Sequence, residues 1–156
     1  MQQGKVNIID HPLIRHKMAI IRDERTGTKD FRQTVSEIAG LMAYEITRDL
    51  PTVDIQVKTP VAIANAKALK KEVVIIPILR AGLGMVEGIS ALIPTAKVGH
   101  VGLYRDEETL EPHTYYAKFP SIINEAVVLV IDPMLATGGT VSKAIDILKE
   151  KGANDI

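Results

Sequence analysis

The residues best suited to chemistry lie at positions 132–140, where a carboxylate is followed by hydroxyl side chains and glycines. Glycines let backbone N–H groups face an anion without a Cβ in the way. Thr137 and Thr140 can donate hydroxyl hydrogen bonds to phosphate oxygens, and Asp132 can accept hydrogen bonds from sugar hydroxyls. The segment therefore predicts a site for a phosphorylated sugar. The alternative is a plain strand-to-helix turn in which Asp132 acts only as a cap.

The sequence on either side predicts a strand before this segment and a helix after it. Val127 to Ile131 form an unbroken apolar run, typical of a strand buried on both faces of a parallel sheet. Apolar residues then recur at helical spacing up to Lys151-Gly152, where a cation and a glycine mark the helix end. The first turn of such a helix presents unpaired N–H groups and the positive end of its dipole to an anion. The P-loop pattern, with lysine after its last glycine, is absent.

A second strand–loop–helix unit carries an arginine in its loop. Val73 to Leu79 predict another buried strand, and Met85 to Leu92 predict a helix. Arg80, Ala81 and Gly82 lie between them. An arginine fixed at the carboxyl end of a strand, beside a tight glycine turn, is well placed to bind a pyrophosphate. The alternative is a surface arginine that merely precedes a helix.

The glycines after this strand also allow a competing interpretation. Gly82, Gly84 and Gly88 come close to the dinucleotide fingerprint, and acidic residues follow about twenty positions later, where that motif has its ribose-binding acid. However, the last glycine comes one residue late, and Arg80 occupies the turn. An NAD-binding Rossmann domain would also leave residues 132–140 unexplained, so this interpretation ranks behind a phosphate site.

Residues 105–118 are charged and contain proline, with little helical or strand periodicity. Polar segments of this kind beside a ligand site often act as lids that exclude water. Arg105 opens the segment and could swing onto a diphosphate. The alternative is a solvated hairpin in which Arg105 contributes only charge.

The rest of the chain predicts an α/β framework. Residues 29–49 carry apolar side chains at three-to-four spacing, which indicates an amphipathic helix with Thr28 as its N-cap. Residues 53–57 alternate like a half-buried strand, and residues 97–104 indicate a further strand. Residues 61–71 are ambiguous between strand and helix, and the N-terminal residues indicate an irregular or short helical start.

Composition sets outer limits on the function. A chain of 156 residues is sufficient for one domain with its own core. The formal net charge of zero argues against bulk binding to nucleic acid or an anionic membrane, while a local anion site is still allowed. The absence of cysteine excludes disulfides and thiolate metal sites. No apolar run reaches the roughly 18–20 residues needed to span a bilayer, and the N-terminus lacks a signal-peptide profile, so a cytoplasmic protein is expected.

Three segments resemble the uracil phosphoribosyltransferases, a branch of the type I phosphoribosyltransferase family. The central one reads VIDPMLATGGT, and its acidic residue followed by proline is typical of that branch. The second, PILRAGLGM, resembles the family's pyrophosphate loop, and the third, GLYRDEETLEP with the following YYAKFP, resembles its flexible flap. The resemblance covers essentially the whole chain. It implies a Rossmann-like, mostly parallel sheet flanked by helices, with the ligand at the carboxyl edge of the strands.

The resemblance implies transfer of a phosphoribosyl group from 5-phosphoribosyl 1-pyrophosphate to uracil, giving UMP and diphosphate. The catalytic residues would be Arg80 and Arg105 at the diphosphate and Asp132 at the ribose hydroxyls. The predicted substrate-binding residues are Arg80, Ala81, Gly82, Arg105, Asp132, Pro133, Met134, Leu135, Ala136, Thr137, Gly138, Gly139 and Thr140. Mg²⁺ is expected to arrive with the diphosphate, since no carboxylate cluster forms a protein site. Family members assemble as dimers or tetramers, and some are activated by GTP, so a homodimer or homotetramer with GTP as an effector is also implied.

The end of the sequence departs from the family pattern. In the family, uracil binds a glycine-rich C-terminal hood, and no residues after Gly152 match it. We therefore expect a single phosphoribosyltransferase domain over residues 1–156, truncated before its base-binding hood. The alternative from another functional class is a regulator that binds phosphoribosyl pyrophosphate but forms no nucleotide.

Overall fold

The structure, a computed structural model, describes residues 6–105 and 112–156. Within these residues the helices are α1 (Pro12–Arg22), α2 (Thr28–Ile46), α3 (Leu83–Leu92) and α4 (Gly139–Glu150). The strands are β1 (Thr52–Lys58), β2 (Ile63–Leu69), β3 (Val73–Leu79), β4 (Lys97–Val98), β5 (His100–Arg105), β6 (Pro112–Lys118) and β7 (Val127–Ile131). None of these helices combines the length and the apolar character that crossing a membrane requires.

Strand β3 lies at the centre of the main sheet. It pairs in parallel with β7 on one side and with β4 and β5 on the other, and β6 pairs antiparallel with β5. The strand is buried from Val73 to Ile78, which explains why its sequence is continuously apolar instead of alternating. Asp155, beyond α4, forms a parallel bridge with Val127, so the chain returns alongside β7. The predicted mostly parallel sheet is confirmed.

Helices cover both faces of this sheet. Val74 and Ile76 belong to a buried cluster that includes Leu148 of α4. Ile75, between them in the sequence, belongs to a second cluster that includes Ile89 of α3. Alternate residues of one strand therefore support two cores, as the pleat of a strand requires. Because both faces are covered, the end of β3 is held firmly where the loop that carries Arg80 begins.

Two glycines allow α2 and α3 to pack at close range. A Cβ built on Gly88 would overlap the backbone carbonyl of Ser36, and one on Gly40 would lie 3.1 Å from the carbonyl oxygen of Gly88. The helices therefore meet backbone to backbone at this point. This contact fixes α3, and with it the loop that precedes α3, against α2.

We expect Gly88→Ala to lower the free energy of unfolding by about 1–3 kcal/mol, because the added methyl group must push two helix backbones apart. Gly84→Ala on the same helix is the matched control, since its Cβ would lie 3.7 Å from a methyl group of Val35, an ordinary contact. Urea denaturation of the two variants and the wild type measures the difference. Equal stability of the two variants would contradict the close packing described here.

Strands β1 and β2 form a separate antiparallel ribbon. Val53, Ile55 and Val57 pair with alanines of β2, and paired residues share a face, so one face of the ribbon is wholly apolar. The opposite face carries a salt bridge between Asp54 and Lys67. Every residue of β1 is exposed, so the expectation of a half-buried strand is wrong in its burial although the strand itself is present. Periodicity indicated an apolar face but could not show that the described chain leaves that face uncovered.

The first half of the chain differs from the sequence expectations at its helix boundaries. The N-terminal region forms a full helix, α1, whose N-cap His11 accepts a hydrogen bond from the amide of Leu13 at 3.2 Å. Helix α2 begins at Thr28, so its N-cap is Gly27 and Thr28 is already helical. It ends at Ile46, three residues earlier than the predicted end.

Two further differences concern strands. The strand predicted over residues 97–104 is divided at Gly99, where a Cβ would lie 2.7 Å from the Cδ1 of Ile76 and 3.0 Å from the carbonyl oxygen of Lys118. Residues 112–118 form β6, although their sequence showed little periodicity. A register irregularity next to Gly102 explains this, because a bulge shifts the alternation of side chains between the two faces.

Candidate active site

The carboxyl ends of three parallel strands meet at one edge of the sheet. Pro77 of β3 pairs with Ile131 of β7, and Leu79 pairs with Gly102 of β5. The loops that follow β3 and β7 therefore leave the sheet side by side. In open α/β sheets, this edge is where ligands bind. The structure thus brings the loop of Arg80 and the loop of Asp132 together, although these two residues are 52 positions apart in the sequence.

The loop after β3 presents an arginine to solvent. Arg80 is exposed and takes part in none of the ion pairs found among residues 6–105 and 112–156. The peptide bond between Leu79 and Arg80 is cis. Ala81 is also exposed, whereas Gly82 is buried. An exposed guanidinium without a protein carboxylate as partner can form a bidentate pair with an anionic ligand.

Asp132 lies directly after the last residue of β7 and is only partly exposed. Burial raises the pKa of its carboxyl above the ordinary value, and the hydrogen bond that the Met134 amide donates to it opposes this rise. The amide fixes the orientation of the carboxylate. A partly desolvated, oriented carboxylate is a strong acceptor for hydroxyl groups, which accords with the predicted contact to ribose.

The loop between Asp132 and α4 adopts a conformation that glycine favours. Gly138 has a φ of 78°, and Ala136, with a φ of 48°, also has a left-handed backbone. The amide of Gly138 donates to the carbonyl of Leu135 at 2.8 Å, which closes a tight turn. Helix α4 begins at Gly139, so the amides of its first turn have no carbonyl one turn earlier in the helix to pair with. These amides form a suitable site for a phosphate.

The loop is open to an incoming ligand. All five residues from Pro133 to Thr137 are exposed, as is Gly139, while Gly138 and Thr140 are partly exposed. Met134 and Leu135, although apolar, expose 75% and 66% of their surface. Their exposure places an apolar rim beside the predicted phosphate site.

No cluster of three or more histidine, cysteine, aspartate or glutamate side chains in the described part of the chain could hold a metal ion. Among the described residues of the loops after β3 and β7, Asp132 is the one that carries a carboxylate. A divalent cation at this edge would therefore take most of its oxygen ligands from a bound diphosphate, as Mg²⁺ commonly does. The residues present fit a cation that is bound together with its substrate.

The predicted flap over residues 105–118 is only partly described. Residues 106–111 lie outside the described residues, and of Arg105 only the backbone is described, as the last residue of β5, paired with Pro112. Tyr104 stacks on His113 of β6, with ring centroids 5.5 Å apart. The two described ends of the segment therefore pair as antiparallel strands, which agrees with the hairpin that the sequence also allows. The role of Arg105 stays a prediction.

The sequence alone did not indicate how tightly the two loops fit together. A Cβ built on Gly82 would lie 2.6 Å from the carbonyl oxygen of Ile131, the residue directly before Asp132. The loops thus touch through backbone atoms. The one signal in the sequence is the glycine itself, which a tight turn would also explain.

Comparison with known proteins gives a consistent result. The sequence model of the uracil phosphoribosyltransferase family matches residues 8–156. A uracil phosphoribosyltransferase from Acholeplasma laidlawii is 60% identical over 153 residues, which cover 98% of this chain and 74% of the relative. One from Desulfitobacterium hafniense is 62% identical over 154 residues, with the same coverage. The chain thus spans about three quarters of the length of these relatives.

Solved structures agree on the fold. The AQ2163 protein from Aquifex aeolicus superimposes with a TM-score of 0.84 at 38% identity, over 91% of this chain and 68% of that one. A hypoxanthine phosphoribosyltransferase from Staphylococcus aureus gives a TM-score of 0.55 at 18% identity, over 80% of this chain and 60% of that one. This second likeness shows the fold alone. The family model and the curated relatives go further and show that the chain belongs to the uracil phosphoribosyltransferase family.

Proposed function

We propose that this protein transfers the phosphoribosyl group of 5-phosphoribosyl 1-pyrophosphate to uracil, forming UMP and diphosphate in pyrimidine salvage. Membership of the uracil phosphoribosyltransferase family supports the reaction. The structural observation that carries the proposal is the meeting of two loops at one sheet edge. One loop offers an exposed arginine that joins no ion pair with the described residues, and the other offers an oriented carboxylate and a helix N-terminus. A sugar with a phosphate at one end and a diphosphate at the other matches this arrangement.

The reaction breaks the bond between the anomeric carbon of ribose and the diphosphate oxygen, and it forms a bond from that carbon to a uracil nitrogen. The uracil proton is released. As the first bond breaks, positive charge develops on the sugar ring and negative charge on the leaving diphosphate. The main task of the protein is then to stabilise the diphosphate and to hold the sugar in position.

The residues of the two loops divide this task. Arg80 pairs with the diphosphate, and Arg105 is assigned to the same group. Asp132 accepts hydrogen bonds from the ribose hydroxyls. Residues Ala136 to Thr140 hold the 5′-phosphate at the start of α4, and the amide of Gly138, which donates to the carbonyl of Leu135, is not among the donors. Ala81 and the apolar residues after Asp132 complete the walls of the site, while Gly82, which is buried, belongs to the loop that carries Arg80.

Mg²⁺ belongs to the proposal as a partner of the diphosphate. When bound, it neutralises charge on the leaving group. The diphosphate, together with water, would supply its oxygen ligands. The described residues offer no separate protein-built metal site.

The experiment that tests the proposed function is an assay with radiolabelled uracil, phosphoribosyl pyrophosphate and Mg²⁺, with UMP separated by chromatography. UMP formation that requires all three components is the expected result. Binding of phosphoribosyl pyrophosphate without UMP formation from uracil would instead support the regulator that the sequence left open. Adenine and hypoxanthine serve as control bases and should give no nucleotide.

Homo-oligomer formation is a further part of the proposal. The apolar face of the β1–β2 ribbon is exposed, and an isolated two-stranded ribbon is only marginally stable in water. A second subunit that covers this face, in a homodimer or a homotetramer, would bury the apolar side chains and stabilise the ribbon.

GTP as an effector and a cytoplasmic location complete the proposal. Addition of GTP to the UMP assay tests the first, and cell fractionation tests the second.

We expect Ile55→Lys to shift the protein toward the monomer, because a charge in the middle of the apolar face opposes burial. Gln56→Lys, on the opposite face of the same strand, is the matched control and should leave the assembly unchanged. Analytical ultracentrifugation of both variants gives the molecular mass. A wild-type protein that sediments as a monomer, or an Ile55→Lys variant that assembles like the wild type, would contradict an interface at the ribbon.

A further inference from the structure

Gly82 occupies the point where the loop after β3 touches the end of β7. It is buried, whereas its neighbours Ala81 and Leu83 are exposed. A Cβ at this position would lie 2.6 Å from the carbonyl oxygen of Ile131, and 2.8 and 2.9 Å from the backbone nitrogen and oxygen of Ile78. All three neighbours are backbone atoms of central strands, so none can yield as a flexible side chain would.

The need for glycine here concerns space and not backbone conformation. Gly82 has a φ of −60° and a ψ of −20°, values that any residue adopts without strain. Its amide donates to the carbonyl of Ile78 at 2.9 Å and its carbonyl accepts from the amide of Met85 at 3.1 Å, so both backbone groups are engaged within the protein. The amide is thus not free to donate to a substrate, and the missing side chain is what distinguishes this residue.

The contact joins the two halves of the proposed site. On one side, Gly82 follows Arg80 by two residues; on the other, the touching carbonyl belongs to Ile131, which is bonded directly to Asp132. Any side chain at position 82 must move the loops apart by most of an ångström to reach ordinary contact. Displacements of about 1 Å at a reacting centre can lower rates by about 10²-fold.

We infer that Gly82 is a positioning residue that sets the distance between the Arg80 loop and the Asp132 loop, so that one sugar diphosphate can contact both. This inference rests on the proposed function. It gives Gly82 a role different from direct contact with the substrate. A ligand that contacts only one loop is insensitive to the distance between the loops, whereas a ligand that spans both depends on it.

The test compares three ligands by isothermal titration in the presence of Mg²⁺: phosphoribosyl pyrophosphate, ribose 5-phosphate and pyrophosphate. For Gly82→Ala we expect affinity for phosphoribosyl pyrophosphate to fall by at least about tenfold, with affinities for the two half-ligands within about twofold of the wild type. Gly84→Ala, two residues further on and in an ordinary contact, should bind all three ligands like the wild type.

Two results would overturn the inference. One is wild-type affinity of Gly82→Ala for phosphoribosyl pyrophosphate. The other is an equal loss for all three ligands, which would indicate general disruption of the fold. If the wild-type protein binds none of them, the proposed function itself fails, and the two failures are thereby distinguished.

A second measurement needs no variant at position 82. Hydrogen exchange of the wild-type protein is followed with and without pyrophosphate and Mg²⁺. Because the loops touch through backbone atoms, pyrophosphate bound at the Arg80 loop should slow exchange in a peptide that spans residues 128–134. Slowing confined to the Arg80 loop and α3 would contradict mechanical contact between the loops.

Discussion

Replacing Arg80 with alanine is expected to lower kcat/KM for UMP formation by about 10²–10³, the cost typical of removing one group that stabilises developing negative charge. The guanidinium is exposed and joins none of the ion pairs in the described part of the chain, so its loss should not change the free energy of unfolding measurably. Steady-state kinetics with varied phosphoribosyl pyrophosphate, together with thermal unfolding, separates the two effects.

Arg80→Lys tests what kind of contact is lost. Lysine keeps the positive charge but not the planar fork that pairs with two phosphate oxygens at once, so we expect only partial recovery of kcat/KM. Arg22→Ala, in the last turn of α1 and outside both loops, is the control for loss of one positive charge. Activity of Arg80→Ala close to that of the wild type would remove Arg80 from the site.

Replacing Asp132 with asparagine should have an effect of similar size on kcat/KM, about 10²–10³. Asparagine has nearly the same shape but offers one neutral carbonyl oxygen in place of a carboxylate, so the ribose hydroxyls lose a charged acceptor. The control is Asp146→Asn on the exposed face of α4, which should retain full activity. Near-normal turnover of Asp132→Asn would contradict the assignment of this residue to the sugar.

Asp132→Asn should lower activity but should not lower the free energy of unfolding at pH 7. Burial raises the pKa of Asp132, so its ionised form is less favourable in the folded protein than in the unfolded chain. At a pH below the ordinary pKa of aspartate, Asp132 is protonated in both the folded and the unfolded chain and does not affect stability. As the pH rises from there through the raised pKa of the folded state, the free energy of unfolding falls. Asparagine does not ionise, so Asp132→Asn should be at least as stable as the wild type at pH 7 and should lack this part of the pH dependence. Denaturant unfolding from pH 3 to pH 7 measures it, and a clear loss of stability at pH 7 would contradict it.

The parts of the fold that the sequence predicts well are those with a strong local signal. The sequence predicts β7 at Val127 to Ile131 and β3 at Val73 to Leu79, the bounds that the structure has, since a strand covered on both faces must be apolar throughout. The loop after β7 is equally clear, because glycine and hydroxyl residues between a strand and a helix predict a turn. The left-handed backbone of Gly138 agrees with this prediction.

The features that were missed depend on contacts between distant residues. Strand β6 exists because β5 offers it a partner, and the bulge next to Gly102 hides the alternation that would have indicated it. A ring atom of Tyr115 would lie 2.5 Å from a Cβ at Gly102, so the bulge and the glycine occur together. Likewise, whether β1 is buried or exposed depends on what packs against the ribbon, and a local sequence pattern does not contain that information. The contact of Gly82 with Ile131 joins residues about fifty positions apart and is visible only in three dimensions.

The most direct test of the central claim, that two loops at one sheet edge together bind a sugar diphosphate, is isothermal titration with phosphoribosyl pyrophosphate and Mg²⁺. The wild type, Arg80→Ala and Asp132→Asn are titrated side by side. The predicted result is saturable binding at one site per chain in the wild type and weaker binding in each variant. Absence of binding in the wild type, or binding of the same affinity in all three proteins, would contradict the claim.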